Sequence, residues 1–386
     1  MNTNSIINNK EKEKLKQSKS RNQLDNIKSI FSLKKIFDKL QKELCLKCIN
    51  YNKRIQKRLN INLNDYKEYS NIIIEIIPAQ NKFCEFINVK KEEESYYDIY
   101  FNDSKEKINR FCLKETDKVT KIIIKIKYQV KSLSGLFRDC QCIESIYLKN
   151  LYRKNLNNMS YMFTSCNSLK EIHFSNCENN QITNMSNIFN RCTSLTNVDF
   201  SNFNFNKVKE MNSMFSQCKS LKKINLSDGN NKNEPNNEKR MAGMFFECSS
   251  LEEVNLNNFN VYDISCMFYG CTALKKVNIK NFNTNNLVYI YDMFYGCASL
   301  KELDLSEFNT KKVKSMSDLF FGCSSLEKLD ISKFTNYNVT NANNMFYNCS
   351  ALKDIKMYYY FNTNHIINKN GMLYGCSDEL KKIIKV

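Results

Sequence analysis

Cysteine is the residue type with the most chemistry to offer in this sequence. The chain has 17 cysteines against two histidines, His173 and His365. Ten cysteines recur at a near-constant interval: Cys140, Cys166, Cys192, Cys218, Cys248, Cys271, Cys297, Cys323, Cys349 and Cys376. The successive intervals are 26, 26, 26, 30, 23, 26, 26, 26 and 27 residues. Zinc sites take paired ligands at close spacing, such as two CxxC units. A single thiol per interval does not supply them, so the series reads as a small apolar filler at a tight bend. Metal and redox roles are the alternatives. Two pairs stand outside the series: a lone CxxC at Cys45 and Cys48, and Cys142 beside Cys140. The CxxC lies in an apolar helical pattern and is read as core; a reactive thiol would need a basic, partly exposed setting.

Other catalytic signals are scarce. The histidines fall on different repeats, and no P-loop, GxGxxG, GxSxG or HExxH motif occurs. The expectation is a non-enzymatic chain with no cofactor and no metal.

The cysteines belong to a longer block: an apolar pair, two residues, Cys, two residues, Leu, two residues, an aliphatic, one residue, another apolar. Examples are MFTSCNSLKEIHF (162–174), MFYGCASLKELDL (293–305) and MFYNCSALKDIKM (345–357). A degenerate tenth copy begins at Met372, and the 30-residue copy carries a polar insert, DGNNKNEPNNEKR (228–240). The closing Leu-x-x-Leu-x-Leu, as in Leu300, Leu303 and Leu305, ends in period-2 alternation and predicts a short strand. The MFxxC segment is expected to be helical or 3₁₀ and to pack back on that strand. One copy buries too little to fold alone, whereas stacked copies build a continuous core. The fold class is therefore an α/β repeat, a leucine-rich-repeat solenoid with one short parallel strand per turn. The abundant Asn is read as background.

The block NMSxMFxxCxSLxxLxLSxFNTxxV resembles the BspA-type leucine-rich repeat, over roughly residues 130–386. The resemblance implies a curved solenoid and, where function is known, adhesion or protein binding. It also implies that partners meet the residues pointing out of the sheet. These include Tyr147, Glu171, His173, Asp199, Lys223, Glu253, Lys276, Glu302, Asp304, Lys328, Asp330, Asp354 and Lys356. That face is polar and of mixed charge, without an aromatic belt or a single-sign field.

The front third reads differently. Residues 1–60 hold 16 Lys/Arg and 5 Asp/Glu, whereas 61–130 hold 12 of each. Residues 1–22 read as a disordered basic arm. Residues 23–60 carry a broad apolar stripe, including Ile27, Phe31, Phe37, Leu40 and Leu44, and read as a helical segment. Within it, residues 27–59 show a weak resemblance to an F-box, which implies a ubiquitin-ligase substrate adaptor. Residues 61–130 form a β-rich N-terminal cap built from NIIIEIIP, KFCEFINV, SYYDIYFN and VTKIIIKIKY, which covers the first sheet edge. Residues 131–386 are the solenoid, and the tail DELKKIIKV is expected to form a short helix over its other end.

No apolar run reaches the roughly 18–20 residues a membrane span needs, and the N-terminus lacks the apolar core of a secretory signal. A cytoplasmic, monomeric scaffold is expected, binding a protein of unknown identity. The basic arm could touch acidic membrane, and nucleic acid is not expected. A cell-surface adhesin exported by an unconventional route is the remaining alternative.

Overall fold

The computed structural model describes residues 29, 30, 32, 53–59, 71–151, 153, 155–175, 177, 180–228, 237–279, 281–357, 364 and 366–384. They fall in two compact units, Met1–Asn71 and Ile72–Val386. In the first, helix α1 (Lys53–Arg58) buries Ile55. Most of the expected helical segment, with Cys45 and Cys48, lies outside the described residues, as do the basic arm and His365.

The second unit opens with three antiparallel strands: β1 (Ile72–Pro78), β2 (Tyr97–Phe101) and β3 (Ile122–Ile126). Each alternates buried and half-buried residues, so Ile72, Ile74 and Ile76 share one face with Ile122, Ile124 and Ile126. The order is β2-β3-β1, and β1 then pairs antiparallel with the first solenoid strand, β4 (Ile143–Lys149). The first edge of the parallel stack is thereby closed. KFCEFINV departs from expectation, because it makes only a single bridge, Glu85 to Cys112. It serves instead as a strap over the first coil. Phe86 and Ile87 are buried, and the Asn88 amide donates to the Arg138 carbonyl at 2.6 Å. That segment has no preceding coil to bond to, so a loop side chain reaches its carbonyl. Arg153, also buried, donates to the carbonyls of Ile126, Lys127 and Val130 and ties the first coil to the cap.

From β4 the chain winds as a solenoid with one parallel strand per coil. The strands are β5 (Glu171–Ser175), β6 (Asn197–Asp199), β7 (Lys223–Ser227), β9 (Glu253–Asn257), β11 (Lys276–Asn278), β12 (Glu302–Asp304), β13 (Lys328–Ile331) and β14 (Asp354–Met357). Two short strands, β8 (Lys239–Arg240) and β10 (Val261–Asp263), pair on the linking side. In the tenth copy α2 (Asp378–Ile383) stands where a strand would follow, with the Ser377 hydroxyl accepting from the Leu380 amide as its N-cap. The core is a set of ladders one residue wide. Buried Phe137, Phe163, Phe189, Phe215, Phe245, Phe268, Phe294, Phe320 and Phe346 stack at centroid distances of 5.3–5.9 Å.

The MFxxC segments are neither α-helical nor 3₁₀. Each is a run of i→i+3 turns, such as the Thr164 amide to the Tyr161 carbonyl and the Cys166 amide to the Phe163 carbonyl. Two residues per coil are left-handed, for example Tyr161 (φ 57) and Ser165 (φ 60). These reversals turn alternate amides outward along the stack. Met159, Tyr161, Phe163 and Ser165 donate to Asn184, Ser186, Ile188 and Asn190 of the next coil at 2.8–3.0 Å. A helix would spend those amides within one coil; the turns spend them between coils.

Nor is Asn mere background. The side-chain oxygens of Asn158, Asn184 and Asn341 accept from the amide two residues on, and Asn204, Asn283 and Asn309 do the same on the linking side. This is Asx-turn chemistry at corners. At the insert, Lys239 occupies the register of the buried Val261. Its ammonium meets Asp228 at 3.0 Å and the carbonyls of Phe205 and Val208, so the first residue of the polar insert and its penultimate one share a buried ion pair.

Candidate functional site

The cysteine series has a use beyond filling space. In nine successive coils the thiol donates to the carbonyl of the stacked Phe in the coil before. Cys166 reaches Phe137, Cys192 reaches Phe163, and so on to Cys376 and Phe346, all at 2.9–3.2 Å. Serine could donate there too, but a hydroxyl is less at home in an apolar wall than a polarizable S–H. Burial pushes these thiols up, Cys248 and Cys323 to about 12, and Cys166, Cys218, Cys271, Cys297 and Cys349 well above their ordinary range. A thiol held protonated is a poor nucleophile and a poor metal ligand. Among the described residues, no group of three or more His, Cys, Asp or Glu is placed to hold a metal ion.

The thirteen candidate face residues all occupy outward positions of the parallel strands, in register between neighbours. Tyr147, His173 and Asp199 are aligned on β4, β5 and β6; Lys223, Glu253 and Lys276 on β7, β9 and β11; Glu302, Lys328 and Asp354 on β12, β13 and β14. Asp304, Asp330 and Lys356 form a second row beside the last of these, and Glu171 lies between Ser145 and Asn197. The rows are cross-linked by charge. Lys223 meets Glu253 at 3.1 Å, Lys328 meets Glu302 at 2.6 Å, and Lys356 approaches Asp330 at 3.6 Å. The imidazole of His173 stacks on Tyr147 with centroids 4.8 Å apart, and lies 3.5 Å from Glu171 and 3.7 Å from Asp199. Hydrogen bonds from Ser201, with His173 adding to them, hold the Asp199 carboxyl below its ordinary range.

The face is not continuous. The parallel strands divide into three groups, β4-β5-β6, β7-β9-β11 and β12-β13-β14. No backbone pairing joins β6 to β7 or β11 to β12 among the described residues. On the turn side the same coils remain bonded, as by the Phe189 amide to Met214 and the Phe268 amide to Met293. An opening of about 760 Å³ lies at the first break, and one of about 500 Å³ runs along the outward face from β11 across the second break to β14. Val198 and Val277, core positions of the strands that lead into the breaks, are correspondingly half-exposed.

Sequence reasoning also missed an aromatic row. Phe246, Tyr269, Tyr295, Phe321, Tyr347 and Tyr374 stack at 4.3–4.8 Å along the turn side, half-exposed until Tyr374, which is 63% exposed. The third letter of MFYGC was the available signal; earlier coils hold Thr164, Asn190 and Ser216 there.

Among solved structures, the chain is similar to a leucine rich cell surface protein from Faecalibacterium prausnitzii A2-165. Identity is 16% over 73% of this chain and 97% of that one, with a TM-score of 0.28. It is also similar to the protein of a TLR13–ssRNA13 complex, at 16% identity over 55% of this chain and 43% of that one, with a TM-score of 0.22. No curated protein sequence matches significantly. No helix of the described residues is long and apolar enough to cross a membrane. A family described as "Mycoplasma protein of unknown function, DUF285" matches residues 131–259, 231–276 and 262–385. Those matches span the whole run of coils, and the chain therefore belongs to the DUF285 family of BspA-like leucine-rich repeats.

Proposed function

We propose that this protein is a non-enzymatic scaffold that binds a protein partner through the outward face of its parallel strands. The observation that carries the reading is the alignment of the thirteen face residues on nine parallel strands, with Lys223 and Glu253, Lys328 and Glu302, and Lys356 and Asp330 paired within the face. Each exposed pair adds little stability, about 0–1 kcal/mol. What the pairs do is hold long side chains in one arrangement, which lowers the entropy lost on binding. The buried, protonated thiols support a structural rather than catalytic use of the cysteines.

A photo-crosslinking residue placed singly at Asp330, Glu171 or Lys312 in the full chain tests this in native cells. Positions 330 and 171 on the face should capture the same protein, and position 312, on the linking side, should not. Capture from position 312 alone would refute the reading.

A further inference from the structure

We infer that Cys84 and Cys142 form an oxidation site, a thiol pair that hydrogen peroxide converts to a disulfide latching the strap to the first coil. The inference goes beyond the scaffold reading and does not depend on it.

Three observations meet at this seam. The first is placement. The two cysteines are 58 residues apart in the chain. Both thiols nevertheless donate to one carbonyl, that of Glu85, at 3.3 Å from Cys84 and 3.4 Å from Cys142. They also touch each other: burial, and then a hydrogen bond with the Cys84 thiol, pushes the Cys142 thiol up. The ladder thiols are arranged differently, each on its own Phe carbonyl, and Cys140 turns to the Arg138 carbonyl. The second is access. Cys84 is half-buried between exposed Phe83 and Glu85, and it lines an opening of about 610 Å³ with Arg138 and Asp139. A small oxidant reaches this sulfur, whereas the ladder is walled in. The third is leverage. The strap makes one bridge, Glu85 to Cys112, yet it supplies the bonds that the first coil lacks. The Asn88 amide group and backbone amide serve the carbonyls of Arg138 and Leu136. A covalent link here fixes the cover of the first edge and closes a long loop, which constrains the unfolded chain.

Burial of Cys142 assigns the order of events. The accessible Cys84 sulfur attacks the peroxide; an S–O bond forms, the O–O bond breaks, and one water leaves. The Cys142 sulfur then attacks the Cys84 sulfenic acid. An S–S bond forms, the S–O bond breaks, and the hydroxyl departs with the Cys142 proton as a second water. Two thiols and one hydrogen peroxide thus give one disulfide and two waters. The Glu85 carbonyl loses both donors, but Glu85 is exposed and solvent takes their place.

The test treats the reduced full chain with hydrogen peroxide, blocks free thiols by alkylation and maps the digest by mass spectrometry. A cross-linked peptide joining residues 84 and 142 is expected. It should vanish in Cys84→Ser and in Cys142→Ala, and persist in Cys112→Ser. In Cys142→Ala, dimedone should trap at least fivefold more sulfenic acid at Cys84 than in the unaltered chain, because nothing resolves it. Oxidation should raise the melting temperature by roughly 5 °C. Dithiothreitol should reverse that rise, and Cys84→Ser should lack it. This last variant alters only a half-buried position, and serves should Cys142→Ala fail to fold. Oxidation of Cys84 without a link to Cys142, a link from Cys84 to any other cysteine, or equal dimedone labelling with and without Cys142 would overturn the site.

Discussion

At the residue scale, the cysteine ladder turns a sequence signal that suggests chemistry into a packing device with a measurable pH signature. Each buried thiol donates to a Phe carbonyl one coil away and loses that donor if it ionises. The ordinary thiol value is 9.0, and burial raises Cys248 and Cys323 to about 12. Below pH 9 both folded and unfolded chains hold their thiol protons, and the shift contributes nothing. Between the two values the unfolded chain releases protons that the folded one keeps, so stability falls as pH rises. The loss approaches about 1.4 kcal/mol per thiol for each pH unit. With nine such thiols, the melting temperature should drop steeply above pH 9. Cys297→Ala should show a lower melting temperature at pH 7 but a shallower alkaline slope, read by circular dichroism from pH 7 to 11. An unchanged slope would mean that this thiol already ionises in the folded chain. No sequence pattern pointed to the Phe carbonyl partner, because the Cys297 bond reaches 29 residues back and depends on how coils overlap. The sequence did show one thiol per coil where zinc sites take closely spaced ligand pairs, which favours a packing role.

At the element scale, the misreading of MFxxC as helical has a physical cause. Met293, Phe294 and Cys297 lie at helix-like spacing, and all are buried. What separates turns from helix is backbone sign, and side-chain periodicity does not report it. Glycine is the usual marker of left-handed backbone, and Gly270, Gly296 and Gly322 carry it, but Ser165, Arg191, Gln217 and Glu247 hold the same position at φ 54–60. Those non-glycine coils hid the pattern. At Gly322 (φ 69) an added Cβ would meet the Gly296 Cα at 3.7 Å and its N at 3.9 Å, both ordinary contacts, so any cost of a side chain is conformational. Gly322→Ala should destabilise by about 1 kcal/mol, the left-handed penalty of roughly 1–2 less the entropy removed from the unfolded chain. Gly322→Asn should cost less, since Asn tolerates this conformation and Asn348 already adopts it one coil later. Urea midpoints of the two variants check the order, and a neutral Gly322→Ala would show that the turn relaxes.

At the scale of the whole molecule, the repeat made the coils, their one parallel strand and the outward rows legible. It did not reveal where the sheet parts. Val198 and Val277 fit the repeat as well as Val254 does, yet the first two are half-exposed and the third is buried. The difference lies in neighbours rather than in the residue. Phe205 stands where Thr284 and Thr310 stand in other coils, and lysines crowd the rim between β11 and β12. Repeat proteins approximate a chain of units coupled to nearest neighbours, so a missing strand pairing should weaken that coupling at two points. Backbone amides should then exchange hydrogen in three blocks, with low protection around β6–β7 and β11–β12. Leu329, 2% exposed in β13, lies in the last block, and Leu329→Ala should cost about 2–5 kcal/mol. Exchange measured by mass spectrometry should quicken across residues 302–357 in that variant while 143–175 keep their protection. If protection falls equally in all nine strands, the turn-side ladder alone binds the coils into one cooperative unit, and the breaks are openings in a surface rather than joints in the fold.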